Sequence, residues 1–429
     1  MLYENTTVKN GRLQFAGRDT VELAEKYGTP LYLMDEAKLR ANCRTYVNAM
    51  AEHFEKAIPL YASKALSCKR IYEIVAEEGM GVDVVSAGEL YIAKKANFPM
   101  EKIFFHGNSK PESEIEYAVG CGIGYFVIDN PEELDAVNNI AGRHGVKQKA
   151  ILRLTPGIDP HTFAAVSTGK VDSKFGVAIA TGQAEEFLKA ALSKENIEVC
   201  GYHAHVGSQV FESTVFYDEA DIMIEFVAQM REKLGYTAGI VNLGGGYGVR
   251  YTEADPHVDI ADELRKVSEH IKSACKKYDV PMPCVIVEPG RSIVANAGMT
   301  LYTVQAVKNI PEYKNYVLID GGMTDNPRYA LYRSSYTVML ANKADKAGEL
   351  EYTIGGRCCE SGDMIQENVK LPTPEKGDTL AVFTTGAYNY SMSSNYNAVP
   401  RPPIVMVDGE NDYVAVRRET FEDLAVRDM

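Results

Sequence analysis

No apolar stretch of the chain approaches the roughly 20 residues that a bilayer-spanning helix needs. The start, Met1-Leu2-Tyr3-Glu4-Asn5, lacks a basic segment followed by an apolar core, so no secretory leader is expected and the chain reads as cytoplasmic, without a membrane partner. Positive charge is also scarce. Lys and Arg number 45 against 59 Asp and Glu, and the formal charge of -14 argues against a nucleic-acid or anionic-membrane surface. Small solutes are the expected partners. The eight cysteines have no paired metal-type spacing, and only Cys358-Cys359 are adjacent, which suits reduced thiols better than a disulfide framework. Internal repeats, low-complexity segments and long linkers are absent too. What is present is a chain of 429 residues, 45% hydrophobic, which exceeds the usual size of one core and predicts two domains.

Short apolar runs recur at Ile58 to Ala62, Val82 to Val85, Ile103 to Phe105, Tyr125 to Ile128, Ala150 to Leu154, Val199 to Tyr202, Ile240 to Leu243 and Cys284 to Val287. Between most of them the spacing is helical. From Tyr217 to Leu234, for example, Ile222, Phe226, Val227 and Met230 form one apolar face, and Gly235 can stop the helix. Strand alternating with helix predicts an α/β fold, a (β/α)8 TIM-like barrel, assigned to residues 33–283. After Glu288 the texture changes to closely spaced strand-like runs, which predict a second, mainly antiparallel β domain over 284–429. Residues 1–32 are assigned to it as well, because Gly11-Arg12-Leu13-Gln14-Phe15 reads as a strand that joins it. This second domain is expected to complete the active site. Met323 to Asn326 and Gly386 to Arg401 read as functional loops.

Polar residues fall just after the barrel runs: Lys64, Asp83 with Ser86, His106, Asp129, His205, Asn242 with the glycines after it, and Glu288, while Arg153 lies near the end of its own run. One shared site at the carboxyl ends of barrel strands would produce this distribution. Lys64 and the cluster Leu243-Gly244-Gly245-Gly246-Tyr247-Gly248 suggest a reactive amine facing a phosphate cradle, because glycine amides approach an anion closely and a buried amine can act as a nucleophile. A phosphate-bearing aldehyde, pyridoxal 5'-phosphate, satisfies both.

Each residue also has a plainer reading. Lys64 alone could be a solvated lysine, and the glycines a tight turn. They are not a dinucleotide fingerprint, since Val249 stands where the last glycine would fall. Glu288 could bind a pyridinium N–H and keep the ring an electron sink, or form a structural pair with Arg291. His203-Ala204-His205 allows metal binding, but no third ligand has a convincing spacing, and no metal is expected. His205 is read as stacking on a cofactor ring, with Ser208 near the phosphate, and His203 as a packed core histidine. Asp83 could hold the lysine or a cofactor edge, or cap the following helix.

Tyr61-Ala62-Ser63-Lys64, Asp83-Val84-Val85-Ser86-Ala87-Gly88-Glu89-Leu90, His205-Val206-Gly207-Ser208, Leu243-Gly244-Gly245-Gly246 and Glu288-Pro289-Gly290-Arg291 together resemble the fold-type III, alanine racemase-like, pyridoxal-phosphate-dependent decarboxylases. Within that group, Cys359-Glu360-Ser361-Gly362-Asp363 and the segment Gly386 to Asn397 resemble the diaminopimelate decarboxylases. The resemblance implies that Lys64 carries the cofactor covalently, that Gly246, Ser208 and Tyr388 hold its phosphate, that His205 stacks on the ring and that Glu288 meets the pyridine nitrogen. It places Asp83, Gly245, Gly290 and Arg291 among the cofactor contacts. Arg291, Arg328, Tyr332, Glu360 and Tyr388 match positions that bind substrate, and Cys359 matches the proton donor. The implied reaction is decarboxylation of meso-2,6-diaminopimelate to L-lysine and CO2, the last step of lysine biosynthesis. The family works as a homodimer with shared active sites, the Cys359-Glu360 loop entering the neighbouring barrel. Alternatives are decarboxylation of another basic amino acid or of carboxynorspermidine, and a non-catalytic pyridoxal-phosphate-binding protein.

The chain departs from the family pattern in places. Gly321 stands where alanine is common, and Pro327-Arg328-Tyr329 where Ile-Arg-Pro is frequent. His161-Thr162-Phe163-Ala164-Ala165 lacks a second histidine, and Asn389 replaces a glycine after Tyr388. These changes bear on substrate preference.

Overall fold

A computed structural model describes residues 3–158 and 171–429. The departure at His161-Thr162-Phe163-Ala164-Ala165 lies outside the described residues. The chain divides into two compact units, one of Cys43–Gly248 with Val258–Gly290, the other of Met1–Asn42, Val249–His257 and Arg291–Met429.

The first unit is a closed parallel barrel of Ala57–Ala62, Gly81–Val84, Ile103–Phe105, Tyr125–Ile128, Gln148–Thr155, Ile197–His203, Ile240–Asn242 and Cys284–Val287. Closure is made by the last strand pairing with the first, Ile286 opposite Ile58. Most strand residues are buried whichever side they face, because one side packs inward and the other lies under helices. Leu60, Phe104, Val127, Ile151, Ile240 and Ile286 form one apolar cluster contributed by different strands. Side chains alternate along a strand, so two residues further on the chain points the same way. Phe104 therefore leads to His106, Val127 to Asp129, Ile151 to Arg153, Ile240 to Asn242 and Ile286 to Glu288. One period-two register supplies both an apolar plug and, above it, a polar ring at the carboxyl ends.

The expected helix is observed as Thr214–Leu234, stopped by Gly235 in the left-handed region (φ 68°). Its buried face includes Phe226, Val227 and Met230 as expected, together with Met223, Ile224 and Glu219, while Ile222 lies half-buried at the edge.

The second unit holds a mixed, mainly antiparallel sheet and a separate three-stranded sheet. Two boundaries differ from expectation. Leu31–Asp35 pairs with Gly298–Ile310 and Ile404–Asp408, so the chain from residue 33 does not yet belong to the barrel, and Cys284–Val287, beyond the expected boundary at 283, is the eighth barrel strand. Arg12–Phe15 is a strand, but it pairs with Thr6–Lys9 and Arg18–Asp19 in the small sheet. Met364–Leu371 was not anticipated. Its run Gln366-Glu367-Asn368 is too polar to read as a strand, yet it pairs antiparallel with Leu350–Gly355. Among the described residues no helix is long and apolar enough to cross a membrane, and all eight cysteines are free.

Candidate active site

In the barrel unit, Lys64 lies in a single 3-10 turn, Ser63–Ala65, directly after the first strand, and is exposed. Glu89 braces that turn. Its Oε2 accepts from Ser63 Oγ at 2.8 Å and from the Val85 N–H at 2.8 Å. The next helix, Ala87–Lys95, is capped by Ser86, whose Oγ accepts from the Glu89 N–H at 3.2 Å. Capping therefore does not account for Asp83. Its Oδ1 is buried with no hydrogen-bond partner among the described residues, and burial pushes its carboxyl up despite the nearby His106 and Lys64.

Glu288 is the best-braced carboxylate of the ring. Asn242 Nδ2 donates to its Oε1 at 2.7 Å, and His106 Nε2 lies 2.7 Å from the same oxygen. His203 Nε2 stands 3.3 Å from Oε2, and the two imidazoles meet edge to face at 4.8 Å. The imidazole contacts are close in distance without the alignment of full hydrogen bonds. Burial alone would push the Glu288 carboxyl up. The adjacent His106 and His203 outweigh it and hold the group well below the usual carboxylate range. His203 itself is driven down to about 3, chiefly by burial. His203 is thus buried, as the packed-core reading has it, but it is turned onto Glu288. The ligand atoms of His106, His203 and Glu288 lie within 4.8 Å of one another, so this cluster takes His203 but not His205 from the motif and draws its other two groups from distant strands.

His205 is half-buried beyond the strand end, and the Gly245 N–H donates to its Nδ1 at 3.3 Å. An accepting Nδ1 leaves the proton on Nε2. Burial, then Lys64 and Arg153, hold the imidazole well below its ordinary value, so the ring is neutral. The glycines weld two loops together. Val210 N–H donates to Gly246 O at 2.9 Å and Gly248 N–H to Val210 O at 2.8 Å. Gly246 has a φ of 117°, and a Cβ there would fall 2.1 Å from Gly207 O, so no other residue fits the seam. Ser208 lies half-buried in the same pair of loops.

In the other unit, two buried guanidiniums share a tyrosine. Arg291 Nη1 donates to Tyr251 Oη at 2.8 Å, and Arg328 lies 5.1 Å over the Tyr251 ring. Burial pushes the Tyr251 phenol up, but the two arginines outweigh it and the net direction is down. Arg328 Nη1 also donates to Tyr336 Oη at 2.9 Å, and buried Asn389 Nδ2 reaches the same oxygen at 3.3 Å while donating to Thr385 O at 3.0 Å. Tyr388, held in the left-handed region (φ 61°), presents its ring 4.8 Å from the Arg291 guanidinium. Tyr332 is half-buried at the end of the short helix Arg328–Tyr332, and Glu360 is exposed with its carboxylate accepting from the Gly362 N–H at 3.2 Å. Among the described residues no hydrogen bond joins either to the arginine network. Cys359 is exposed, its N–H donating to Asn397 Oδ1 at 2.8 Å. Cys358 is buried, and burial pushes its thiol up to about 11.

Sequence reasoning missed Tyr251, Tyr336 and Glu89, and gave His203 and Asn242 no part in bracing Glu288. Strand parity could have found Asn242, since it occupies the same layer as Glu288. No local signal marks Tyr251 or Tyr336, which meet the arginines only through the fold.

The family model described as the pyridoxal-binding domain of pyridoxal-dependent decarboxylases matches residues 37–295. The chain is 43% identical to the diaminopimelate decarboxylase of Halalkalibacterium halodurans, over 100% of this chain and 98% of that protein. It is 44% identical to that of Bacillus methanolicus over 98% of each. Crystal structures of diaminopimelate decarboxylase from M. jannaschii, one of them in co-complex with L-lysine, align with a TM-score of 0.91 at 36% identity, covering 99% of this chain and 98% of theirs.

Pyridoxal phosphate fits the barrel residues on their own chemistry. Lys64 offers an exposed amine for the aldehyde, ionised Glu288 an acceptor for a ring N–H, neutral His205 a flat partner for the ring, and the Gly246 seam a phosphate approach without Cβ atoms. With this donor set, a matched cofactor domain and full-length identity to curated members, the chain belongs to the diaminopimelate decarboxylase family of pyridoxal-dependent decarboxylases.

Proposed function

We propose that this protein decarboxylates meso-2,6-diaminopimelate to L-lysine and CO2, the last step of lysine biosynthesis. The observation that carries the proposal is the pair of buried guanidiniums, Arg291 and Arg328, linked through Tyr251. Guanidinium forks suit carboxylates, and the substrate keeps a second carboxylate that simple diamino acids lack. When bound, pyridoxal phosphate supplies the electron sink for the pair left on carbon as CO2 departs.

The protein's own groups do the rest. The Lys64 amine would hold the cofactor through its aldehyde. Glu288 keeps a proton at the pyridine nitrogen, because Asn242, His106 and His203 favour its anion. Neutral His205 would pack against the ring without adding charge, with Asp83, Gly245, Gly290 and Arg291 as further cofactor contacts, and Ser208, Gly246 and Tyr388 at the phosphate. Tyr332, Tyr388 and Glu360 join the arginines in binding substrate, Glu360 pairing an ammonium. Cys359 Sγ delivers a proton to the carbon that lost CO2. Its exposure suits a thiol that must reach substrate, whereas Cys358 is buried.

The working form is proposed to be a cytoplasmic homodimer in which the Cys359-Glu360 loop serves the neighbouring subunit's barrel. The charge of -14 supports small solutes rather than nucleic acid as partners. Mixing inactive Lys64→Ala with Cys359→Ala protein, which is slowed at protonation, tests this directly. Subunit exchange should restore about one quarter of wild-type turnover, since half the dimers become hybrids with one intact site each. A mixture no more active than its components although exchange is verified would contradict shared sites.

A further inference from the structure

Asp363 closes the Cys359-Glu360-Ser361-Gly362-Asp363 segment, and neither the resemblance nor the proposed reaction gives it a task. It is 4% exposed, and both carboxylate oxygens are spent on backbone amides of different segments. Oδ1 accepts from the Met323 N–H at 2.6 Å and Oδ2 from the Cys358 N–H at 2.7 Å. Two glycines make this possible. A Cβ on Gly322 would stand 2.5 Å from each carboxylate oxygen, and one on Gly356 would stand 2.2 Å from Oδ2. The backbone repeats the connection, with Gly356 N–H donating to Asp363 O at 2.9 Å and Arg357 N–H to Gly321 O at 2.9 Å.

One amide in this clamp belongs to the residue immediately before Cys359. The other belongs to the turn that leads into Arg328, where the Asp325 and Asn326 N–H groups donate to Gly322 O at 3.0 and 2.8 Å. We propose that Asp363 is a positioning residue that acts through Cys359, its carboxylate fixing the thiol-bearing segment against the turn that carries Arg328. The inference rests on the proposed role of Cys359 as proton donor. An anionic acceptor bridging two N–H groups is stiffer than a neutral one, and an amide side chain would turn a donor toward one of them.

The test compares pyridoxal-phosphate-loaded wild type, Cys359→Ala, Asp363→Asn and the double variant. The readouts are kcat and KM for meso-diaminopimelate, cofactor absorbance, and iodoacetamide labelling of Cys358 and Cys359 by peptide mass spectrometry. Asp363→Asn should lower kcat about 10- to 100-fold, the scale of a displacement near 1 Å. It should leave cofactor absorbance unchanged and raise the labelling of Cys358, which the clamp shields. Added to Cys359→Ala, it should cost no further kcat, because a positioning residue has nothing left to position. Multiplicative losses in the double variant, or a wild-type kcat and labelling pattern in Asp363→Asn, would overturn the clamp while leaving the proton donor intact. Unchanged kcat in Cys359→Ala would instead remove the donor and, with it, the clamp's purpose. Should Asp363→Asn not fold, Asp363→Glu, which keeps the charge and displaces it, is read by the same criteria.

Discussion

Asn389 and Gly321 are departures whose meaning appears only once their neighbours are known. Asn389 stands where the family usually has glycine, and its side chain supports the Tyr336 hydroxyl that receives Arg328. Asn389→Gly removes that support. A lost hydrogen bond of about 0.5–1.5 kcal/mol predicts a KM for meso-diaminopimelate raised about 2- to 12-fold with kcat nearly unchanged. Steady-state kinetics would show it, and an unchanged KM would detach Asn389 from substrate binding. Gly321 replaces a common alanine because Tyr302 occupies the space. A Cβ there would fall 2.2 Å from the tyrosine ring, whose hydroxyl donates to Asp325 Oδ2 at 2.6 Å. Nothing adjacent in sequence announces either relation, since the partners lie 53 and 19 positions away by residue number.

Helix Thr214–Leu234 shows what periodicity can and cannot deliver. Its apolar repeat and its glycine stop were legible, because burial on one face and a left-handed cap leave local marks. Glu219 was not. It lies on the buried face at 0% exposure, and neither carboxylate oxygen has a hydrogen-bond partner among the described residues. Burial, then Glu288, push its carboxyl well above the ordinary value. A folded-state pKa raised in this way means that the native protein holds a proton the unfolded chain gives up. Stability contributed by that proton is present below the unfolded pKa, about 4.3, and is lost as pH rises toward the folded value. Glu219→Leu should therefore stabilise by about 1–3 kcal/mol near neutral pH, with a smaller gain near pH 5. Melting temperatures at the two pH values measure it. A variant that melts lower at both would show that the carboxyl is satisfied by groups other than those described.

Over the whole chain, the barrel was readable because each strand is a short apolar run and the polar groups of the ring fall at or just after the ends of those runs. The same simplicity hid the boundary. Leu31–Asp35 is as uniformly buried as a barrel strand, and local sequence does not reveal that it pairs with Gly298–Ile310. The placement of Lys64, Glu288 and the glycines just after barrel strands was legible from the runs that precede them. The bracing of Glu288 by His106, His203 and Asn242, and of the arginines by Tyr251, was not, because closure of the barrel and of the sheet brings together residues far apart in sequence. The central claim concerns which acid is decarboxylated. The most direct measurement offers meso-diaminopimelate, ornithine, arginine and carboxynorspermidine in parallel to the pyridoxal-phosphate-loaded protein and follows CO2 and the amine product. The account predicts L-lysine from meso-diaminopimelate and no comparable turnover of the others. Preferred turnover of another substrate, or no turnover with the cofactor bound through Lys64, would contradict it.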